Sequence, residues 1–302
     1  MHASGDAPPT GLVSVVIPHV DDLANLDRCL ALLAAQTLPA GRVEVVVADN
    51  GSSVGLGAVA TAVGRRARVV DAPERGAGPA RNAGVAAARG DILVFLDSDC
   101  RPEADWLARG LAALDGADVV GGAVRVVAEN AAAPTPVEAF ELVFAFRNDL
   151  YVARKGFTVT ANMFVRRAVF EAVGPFRNGM SEDVDWCHRA RARGYRLAYA
   201  PGAVVAHPAR RTWDDLVRKW RRTTREAYLL ARPGGLRVLP WLARAWLVLL
   251  SALPHALKAM RAAEVGPWRD RIGAARVLLR IRGFRFVEAH RLAFARPPEA
   301  AR

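Results

Sequence analysis

Two carboxylates separated by one residue are the strongest chemical feature of the sequence. Asp97 and Asp99 flank Ser98, directly after the apolar run DILVFL at residues 91–96. Carboxylates on alternate residues of a turn can bind one hard cation, and such a cation neutralises the charge that develops on a departing diphosphate. The same spacing also occurs in ordinary polar turns after strands. The pair alone therefore leaves both interpretations open.

Two further places have residue types that are suited to catalysis. Glu182 and Asp183 open a predicted amphipathic helix that ends at Gly194. The helix dipole alone favours acids in a first turn, whereas a carboxylate in a site would deprotonate an acceptor hydroxyl as a general base. His207 follows a short apolar strand. It is either a rim residue or the nitrogen ligand of a metal site with an open position.

The cysteines indicate the redox environment. Cys29, Cys100 and Cys187 are odd in number and have no metal-ligand spacing. The first residues lack the basic and apolar regions of a secretory signal, so we expect reduced thiols and a cytoplasmic location. Cys100 lies beside the acidic pair but has no histidine near it in sequence. We interpret it as a small apolar filler rather than a nucleophile.

The acidic groups follow elements that alternate between strand and helix. Short apolar runs rich in valine predict strands at residues 13–18, 43–48, 68–70 and 91–96, with helical spacing between them. This alternation predicts an α/β fold with an open, mostly parallel sheet flanked by helices. Ligands bind such sheets beyond the carboxyl ends of the strands. Asp49 and the Asp97/Asp99 pair follow two of these strands and are expected to lie near one crevice.

The second half of the chain has a less regular pattern. Apolar spacing predicts further elements up to His207, and only helices after it. They are a helix at 105–114, a strand at 118–127, helices at 140–149, 168–173 and 182–193, and strands at 157–165, 195–200 and 204–205.

The net charge of +12 is concentrated near the carboxyl terminus. Residues 1–208 hold 21 basic and 23 acidic residues, whereas residues 209–302 hold 21 basic and 7 acidic residues, a net charge of +14. This difference predicts a near-neutral catalytic domain at 11–208 and a basic helical region at 209–302. Loose ends are expected at 1–10 and 297–302.

The basic region interleaves arginines with aromatic residues. Residues 240–253 are its most apolar stretch, but Arg244 interrupts them and Pro254 closes them, so they are too short to cross a bilayer. An interfacial helix, with residues 213–290 in contact with an anionic membrane surface, is one interpretation. A helical subdomain packed on the core is the other. No motif supports nucleic-acid binding. The aromatic residues concerned are Trp220, Tyr228, Trp241, Trp246 and Trp268.

The motifs, in their order along the chain, resemble the family 2 glycosyltransferases with the GT-A fold. The resemblance covers residues 12–208 and rests on VSVVIP, VEVVVADNGSS, ERGAGPARNAGVAAARGDILVFLDSDC, TANMFVRRAVFEAVGPF and SEDVDWCHRARARGYRLAYAPGAVVAHP. It implies a nucleotide-diphospho-sugar transferase fold and a metal-dependent, inverting enzyme. Such an enzyme moves one sugar from a nucleotide diphosphate donor to a hydroxyl of a glycan, a lipid-linked acceptor or a polysaccharide precursor.

The resemblance also implies a role for individual residues of this chain. Those expected to bind the donor are Pro18 and Asp49 at the nucleotide base, Arg81 and Asn82 at the nucleotide and diphosphate, and Asp97 at the donor and metal. The metal, Mn²⁺ or Mg²⁺, is expected to contact Asp99 directly, with His207 completing its site. Asp183 is the implied catalytic base, with Glu182 beside it.

Two departures from the family pattern and two alternative functions remain. His19, Val20 and Asp21 replace a run that often includes an aromatic residue to stack on the base, and residues 216–220 match poorly to the Gln-x-x-Arg-Trp element of processive synthases. A non-processive enzyme is therefore expected. One alternative is a nucleotidyltransferase-like enzyme, although the glycine- and lysine-rich signature of that class is missing near the first strand. The other alternative is a non-catalytic sugar-nucleotide binder. The joint presence of Asp97, Asp99, Asp183 and His207 argues against it.

Overall fold

The chain forms two units, which the computed structural model describes over residues 11–231 and 238–294. The expected loose ends at 1–10 and 297–302 lie outside the described residues. The first of the two units, called the α/β unit, comprises Met1–Arg125, Phe146–Asn178 and Glu182–His207. The second, called the helical unit, comprises Val126–Ala145, Gly179–Ser181 and Pro208–Arg302.

One sheet organises the α/β unit. Its strands are β1 (Val13–His19), β2 (Val43–Asp49), β3 (Arg68–Asp71), β4 (Ile92–Leu96), β5 (Arg101–Pro102), β6 (Val119–Val127), β7 (Asn162–Arg166) and β8 (Leu197–Pro208). Their order across the sheet is β3-β2-β1-β4-β7-β6-β8-β5.

The direction of the strands differs between the two halves of the sheet. β1 is parallel to β2 and β4, and β2 is parallel to β3, as the sequence predicts. β7 is antiparallel to β4 and β6, and β5 is antiparallel to β8, so the mostly parallel sheet that the sequence predicts also includes antiparallel pairs. Helical crossovers return the chain to the same end of a sheet and produce the parallel pairs. Apolar runs carry no information on strand direction, so the reversal at β7 was not predicted from the sequence.

Helices cover both faces of this sheet. They are α1 (Leu23–Ala34), α2 (Leu56–Val63), α3 (Ala77–Ala87), α4 (Trp106–Ala113), α6 (Asn148–Leu150), α7 (Arg167–Val173) and α8 (Glu182–Ala192), whereas α5 (Pro136–Phe144) belongs to the helical unit. Side chains alternate along each strand, so Val15 and Ile17 of β1 enter one core and Val16 enters the other. Trp106 of α4 fills the first core and Trp186 of α8 the second.

Four predicted elements have clearly different bounds in the structure. The helix expected at 140–149 is α5, which begins earlier because Thr135 and Glu138 form a capping box and Pro136 occupies the first turn. The strand expected at 157–165 is confirmed only from Asn162 onward. Before it, the Asn148 side chain accepts from the backbone N–H of Val159 at 3.2 Å and replaces a ladder bond. The two strands expected at 195–200 and 204–205 form the single strand β8.

The helical unit combines α5 with α9 (Trp213–Ala231), α10 (Val238–Leu250), α11 (Ala252–Arg261) and α12 (Trp268–Phe294). Phe140 of α5, Leu216 of α9, Ala259 of α11, and Leu278 and Ile281 of α12 share one apolar core. The prediction of helices alone after residue 208 is confirmed for the described residues. The sequence boundary at 208 gave no indication that α5 joins these helices.

Several aromatic residues of the basic region are internal, contrary to the expectation for an interfacial anchor. Trp241 is only 7% exposed, and its Nε1 donates to the carbonyl of Ala289 at 2.9 Å. Arg280 and Arg285 stack over Trp213 and Trp220, with 3.8 and 3.9 Å from guanidinium carbon to ring centre. Some of the arginines and aromatic residues of the basic region therefore stabilise the helical unit through contacts with one another.

The apolar stretch is longer than predicted. Pro254 does not close it, because Pro254 lies in the first turn of α11, where a missing N–H interrupts no helical hydrogen bond. The backbone N–H of His255 donates to the carbonyl of Ser251 across the junction. Among the described residues, Val238–Arg261 is long and apolar enough by length and composition to cross a membrane.

Candidate functional site

The Asp97–Asp99 turn lies at the carboxyl end of β4, where the sequence analysis placed it. All five residues of β4 are buried between the two cores, which fixes the point at which the chain leaves the sheet. The N–H of Cys100 donates to the carbonyl of Asp97 at 3.1 Å and closes the turn. Both carboxylates are partly accessible, with side chains 31% exposed. They can therefore contact a ligand.

His207 is brought to this turn by β5, which the sequence did not reveal. β5 has only two residues, and Arg101 pairs with Ala206 of β8. This register places His207 beside Asp99, with 3.5 Å between Nε2 of the histidine and Oδ2 of the aspartate. The ring of Phe146 packs against the buried imidazole with a centroid distance of 4.7 Å. The carboxylate and the imidazole are thus held together by strand pairing and packing.

Asp99 and His207 fit a divalent metal better than the neighbouring thiol does. Among the described residues, potential ligand atoms of Asp99, Cys100 and His207 lie within 4.8 Å of one another. Burial, reinforced by the charges of Asp97 and Asp99, raises the pKa of the Cys100 thiol well above its usual value, and its Sγ faces the carbonyl of Ala161 at 3.8 Å. The thiol therefore stays protonated. The remaining oxygen and nitrogen donors suit Mn²⁺ or Mg²⁺.

The three cysteines have the free, buried state that the sequence analysis expects of apolar fillers. Cys29, Cys100 and Cys187 are all free and buried. Burial raises the pKa of Cys29 to about 12, with a further contribution from Asp99 and Asp97. These thiols are apolar fillers rather than nucleophiles.

Arg81 connects the Asp97–Asp99 turn to the start of α8. Its side chain is 4% exposed and donates from Nη2 to Oδ1 of Asp97 at 2.6 Å and from Nη1 to Oε1 of Glu182 at 2.7 Å. Burial alone would lower the pKa of Arg81, but Asp97 and Glu182 outweigh it and raise the pKa above its usual value. The guanidinium is therefore permanently charged and engaged by two protein carboxylates. The sequence interpretation, which placed Arg81 at the nucleotide and diphosphate, did not include these contacts.

Asp183 lies in the same region, in the first turn of α8. One of its oxygens accepts from the backbone N–H of Val184 at 2.8 Å, as expected of an acid at a helix start. Its charge also contributes to the raised pKa of Arg81 and, after burial, to the raised pKa of Tyr151. Asp183 therefore belongs to the electrostatic environment of Arg81.

Two asparagines position the loops around Arg81. The Asn82 amide donates to the carbonyl of Phe176 at 2.8 Å and accepts from its N–H at 3.0 Å, which fixes the segment that leads to α8. Asn50, which the sequence analysis did not select, donates to the carbonyls of Ala72 and Glu74 at 2.7 Å each. An asparagine in the turn after a strand is a signal for such a role.

Pro18 and Asp49 lie at the adjacent carboxyl ends of β1 and β2. The parallel register pairs Pro18 with Ala48 and His19 with Asp49. The Asp49 carboxylate is buried and accepts from the N–H and the hydroxyl of Ser52. This carboxylate therefore shapes its own loop.

His19 is the least expected residue at this edge. It is 2% exposed, and both ring nitrogens lack a hydrogen-bond partner among the residues that the structure describes. Burial lowers its pKa, although the charges of Asp49, Asp22 and Asp21 oppose that effect. The imidazole is therefore neutral at pH 7.

Comparison with known proteins gives a consistent family relationship. Residues 14–174 match the family model described as Glycosyl transferase family 2. Glycosyltransferase AglE of Haloferax volcanii is 35% identical over 215 residues, which are 68% of this chain and 70% of that protein. The pre-mycofactocin glycosyltransferase of Mycobacterium tuberculosis is 30% identical over 233 residues, which are 70% of this chain but only 46% of that protein.

A solved structure supports the same fold. Mannosyltransferase PcManGT from Pyrobaculum calidifontis, in complex with GDP-Man and Mn²⁺, aligns with 96% of this chain and 78% of its own, with a TM-score of 0.54 and 19% identity. At this identity the likeness concerns the fold alone. It confirms the GT-A-type α/β architecture that the sequence predicts.

Proposed function

Since the chain belongs to glycosyltransferase family 2, we propose that it is a metal-dependent, inverting enzyme that moves one sugar from a nucleotide diphosphate donor to an acceptor hydroxyl. The observation that carries this proposal is the 3.5 Å separation of Asp99 Oδ2 and His207 Nε2. A carboxylate and a buried imidazole, converging from two strands at the carboxyl edge of the sheet, form a binding position for a divalent cation.

Asp99 and His207 would hold that cation, with Asp97 on the donor side of the same turn. When bound, the metal would neutralise charge on the departing diphosphate. Pro18 and Asp49, at the ends of β1 and β2, would hold the nucleotide base. Because a carboxylate accepts a ring N–H from uracil, thymine or guanine alike, the base is left open.

Asp183 is the proposed base of a single displacement. The acceptor oxygen forms a bond to the anomeric carbon while the bond from that carbon to the diphosphate oxygen breaks, and the electron pair leaves with the diphosphate. The hydroxyl proton moves to a carboxylate oxygen of Asp183. One displacement inverts the anomeric configuration. The acceptor would be a glycan, a lipid-linked sugar or a polysaccharide precursor.

Arg81 and Asn82 act through other groups in this proposal. Arg81 joins Asp97 on the donor side to Glu182, the neighbour of the proposed base. Asn82 fixes the backbone of Phe176, ahead of α8. Both are therefore positioning residues, because fixed spacing between base and donor is what an in-line displacement needs.

A donor panel tests the proposal. The full chain is incubated with UDP-, GDP- and TDP-sugars, with Mn²⁺, with Mg²⁺ or with excess chelator, and released nucleoside diphosphate is measured. We expect release with one class of donor, only with metal, and none from Asp99→Asn. Equal release in excess chelator would contradict the metal role. If the chain instead released pyrophosphate from a nucleoside triphosphate and a sugar phosphate, supplied in place of the donor, it would be a nucleotidyltransferase. Donor binding without release in any mixture of donors and acceptors would indicate a non-catalytic binder.

A further inference from the structure

The helix pair α10–α11 has a second apolar face that points away from its core. Large exposed side chains recur there at intervals of three, four or seven residues: Leu239, Trp246, Leu250, Leu253, Leu257 and Met260. Leu250, Leu253 and Leu257 are 62, 71 and 60% exposed. A helix of a soluble protein normally places polar residues on the face opposite its core. In this segment, both faces are apolar.

The opposite face of the helix pair packs against the rest of the helical unit. Trp241, Ala245, Ala252 and Ala259 are buried on that side, and Trp241 and Ala245 share a core with Ala289 of α12. The indole of Trp241 donates to a backbone carbonyl of α12. Nη2 of Arg282 on α12 lies 3.1 Å from Nδ1 of His255 on α11. The exposed leucines are therefore not available to the core of the helical unit.

The charges around the exposed face favour one kind of occupant. Residues 238–261 include Arg244, Lys258 and Arg261, all exposed, and no acidic residue. Residues 238–294 hold ten basic residues and three acidic ones. A second copy of the chain would bring two cationic surfaces together, whereas an anionic lipid surface neutralises them.

The packing on α12 also determines how the pair would meet a bilayer. Val238–Arg261 has 24 residues and could span one by length. Its partner α12 exposes Arg276, Arg280 and Arg291, which a crossing pair would carry into the hydrocarbon. An orientation in the plane of the membrane keeps α12 in water and buries only the exposed leucines.

We infer that the α10–α11 face is a docking surface for an anionic membrane, on which the pair lies in the plane of the headgroups with its exposed leucines among the acyl chains. The surface is defined by Leu239, Trp246, Leu250, Leu253, Leu257 and Met260. Trp241, which the sequence favoured as an anchor, belongs to the core instead. The inference concerns the helical unit alone and does not depend on the proposed chemistry.

Flotation of the full chain with lipid vesicles tests the inference without any measurement of activity. Vesicles of phosphatidylcholine alone are compared with vesicles that also contain phosphatidylglycerol. We expect binding to increase with phosphatidylglycerol and to weaken with salt, which screens the charge contribution. The Leu250→Glu/Leu257→Glu variant should bind at least about tenfold more weakly, because burial of one leucine alone contributes roughly an order of magnitude. Arg261→Gln should reduce binding by about fivefold.

The matched control changes exposed apolar residues of the α/β unit. Val54→Glu and Leu56→Glu, at positions that are also exposed, should leave vesicle binding unchanged. Circular dichroism verifies that each variant keeps its helix content.

Three outcomes would overturn the inference. The first is that the wild-type chain ignores vesicles of every composition. The second is that bound protein resists both high salt and alkaline carbonate, which would indicate a membrane span. The third is that light scattering shows a dimer that Leu250→Glu/Leu257→Glu converts to a monomer, with no vesicle binding, which would assign the face to a second copy.

Discussion

Replacing Arg81 by methionine tests whether the bridge between the Asp97–Asp99 turn and α8 stabilises the fold. The substitution keeps an unbranched side chain of similar length but removes both short salt bridges. Loss of one member of a fully buried charge network costs about 3–5 kcal/mol, because the remaining charges lose their compensation. The carboxylates of Asp97 and Glu182 have side chains 31 and 19% exposed, so water can hydrate them in part. We therefore expect a loss of about 2–3 kcal/mol in the free energy of unfolding.

Urea unfolding of matched variants measures this loss. Arg109→Met is the control, because Arg109 forms an ion pair of the same chemical type with Asp105 at 2.9 Å, with side chains 65 and 43% exposed. Such surface pairs contribute little, so the control should leave the urea midpoint unchanged. Glu182→Gln in the wild-type and Arg81→Met backgrounds then gives the coupling between the two side chains, for which we expect about 1–2 kcal/mol.

Catalysis gives a second readout that a purely structural role would not move. Arg81→Lys keeps the charge but replaces a planar, two-pronged donor by a single ammonium, which cannot hold two carboxylates in fixed geometry. We expect kcat to fall more than the KM of the donor rises, since the base loses its position relative to the bound donor. If Arg81→Met unfolds like Arg109→Met, the coupling is zero and Arg81→Lys keeps full kcat, the positioning role of Arg81 is refuted.

The remaining predictions concern the proposed metal ligands, the proposed base and a buried histidine. Asp99→Asn should abolish turnover and His207→Ala should raise the Mn²⁺ concentration needed for half-maximal release of nucleoside diphosphate; an unchanged metal titration would remove His207 from the site. Asp183→Asn should lower the rate by about 10²-fold or more with donor affinity preserved in calorimetry, and an intact rate would leave Asp183 as a helix-start residue only. Because burial lowers the folded pKa of His19, the unfolded chain binds more protons below about pH 6.5, so stability should fall there as pH decreases. Thermal unfolding of His19→Gln should show a smaller decrease, and identical pH profiles would contradict the shift.

The first half of the fold was readable because its signals are local. Each of the first four strands is a short apolar run, and residues 13–18 and 91–96 needed no tertiary information. The strand expected at 157–165 was partly wrong because the Asn148 side chain, well before it in sequence, takes one of its backbone N–H groups. Competition from a distant side chain leaves no periodic trace in the sequence.

In the candidate site, too, the residue types were readable from local sequence, whereas their long-range contacts were not. Residue types and motif order led to Asp97, Asp99 and His207, because these depend on chemistry and on strand ends. The partners of Arg81 were not predictable, since Glu182 is 101 residues away and a helical arginine is usually taken as a solvent-exposed charge. Only the folded chain shows that this arginine is 3% exposed.

The two-residue strand β5 explains why a list of candidate site residues does not by itself give the geometry of a site. Two residues carry no detectable periodicity, so β5 has no sequence signal. Nevertheless, the pairing of Arg101 with Ala206 sets the register that brings His207 to Asp99. A slip of one residue would turn the His207 side chain to the other face of the sheet, because strand side chains alternate. The proximity of Asp99 and His207 therefore depends on an antiparallel contact at the sheet edge, although both residues were selected from their chemistry alone.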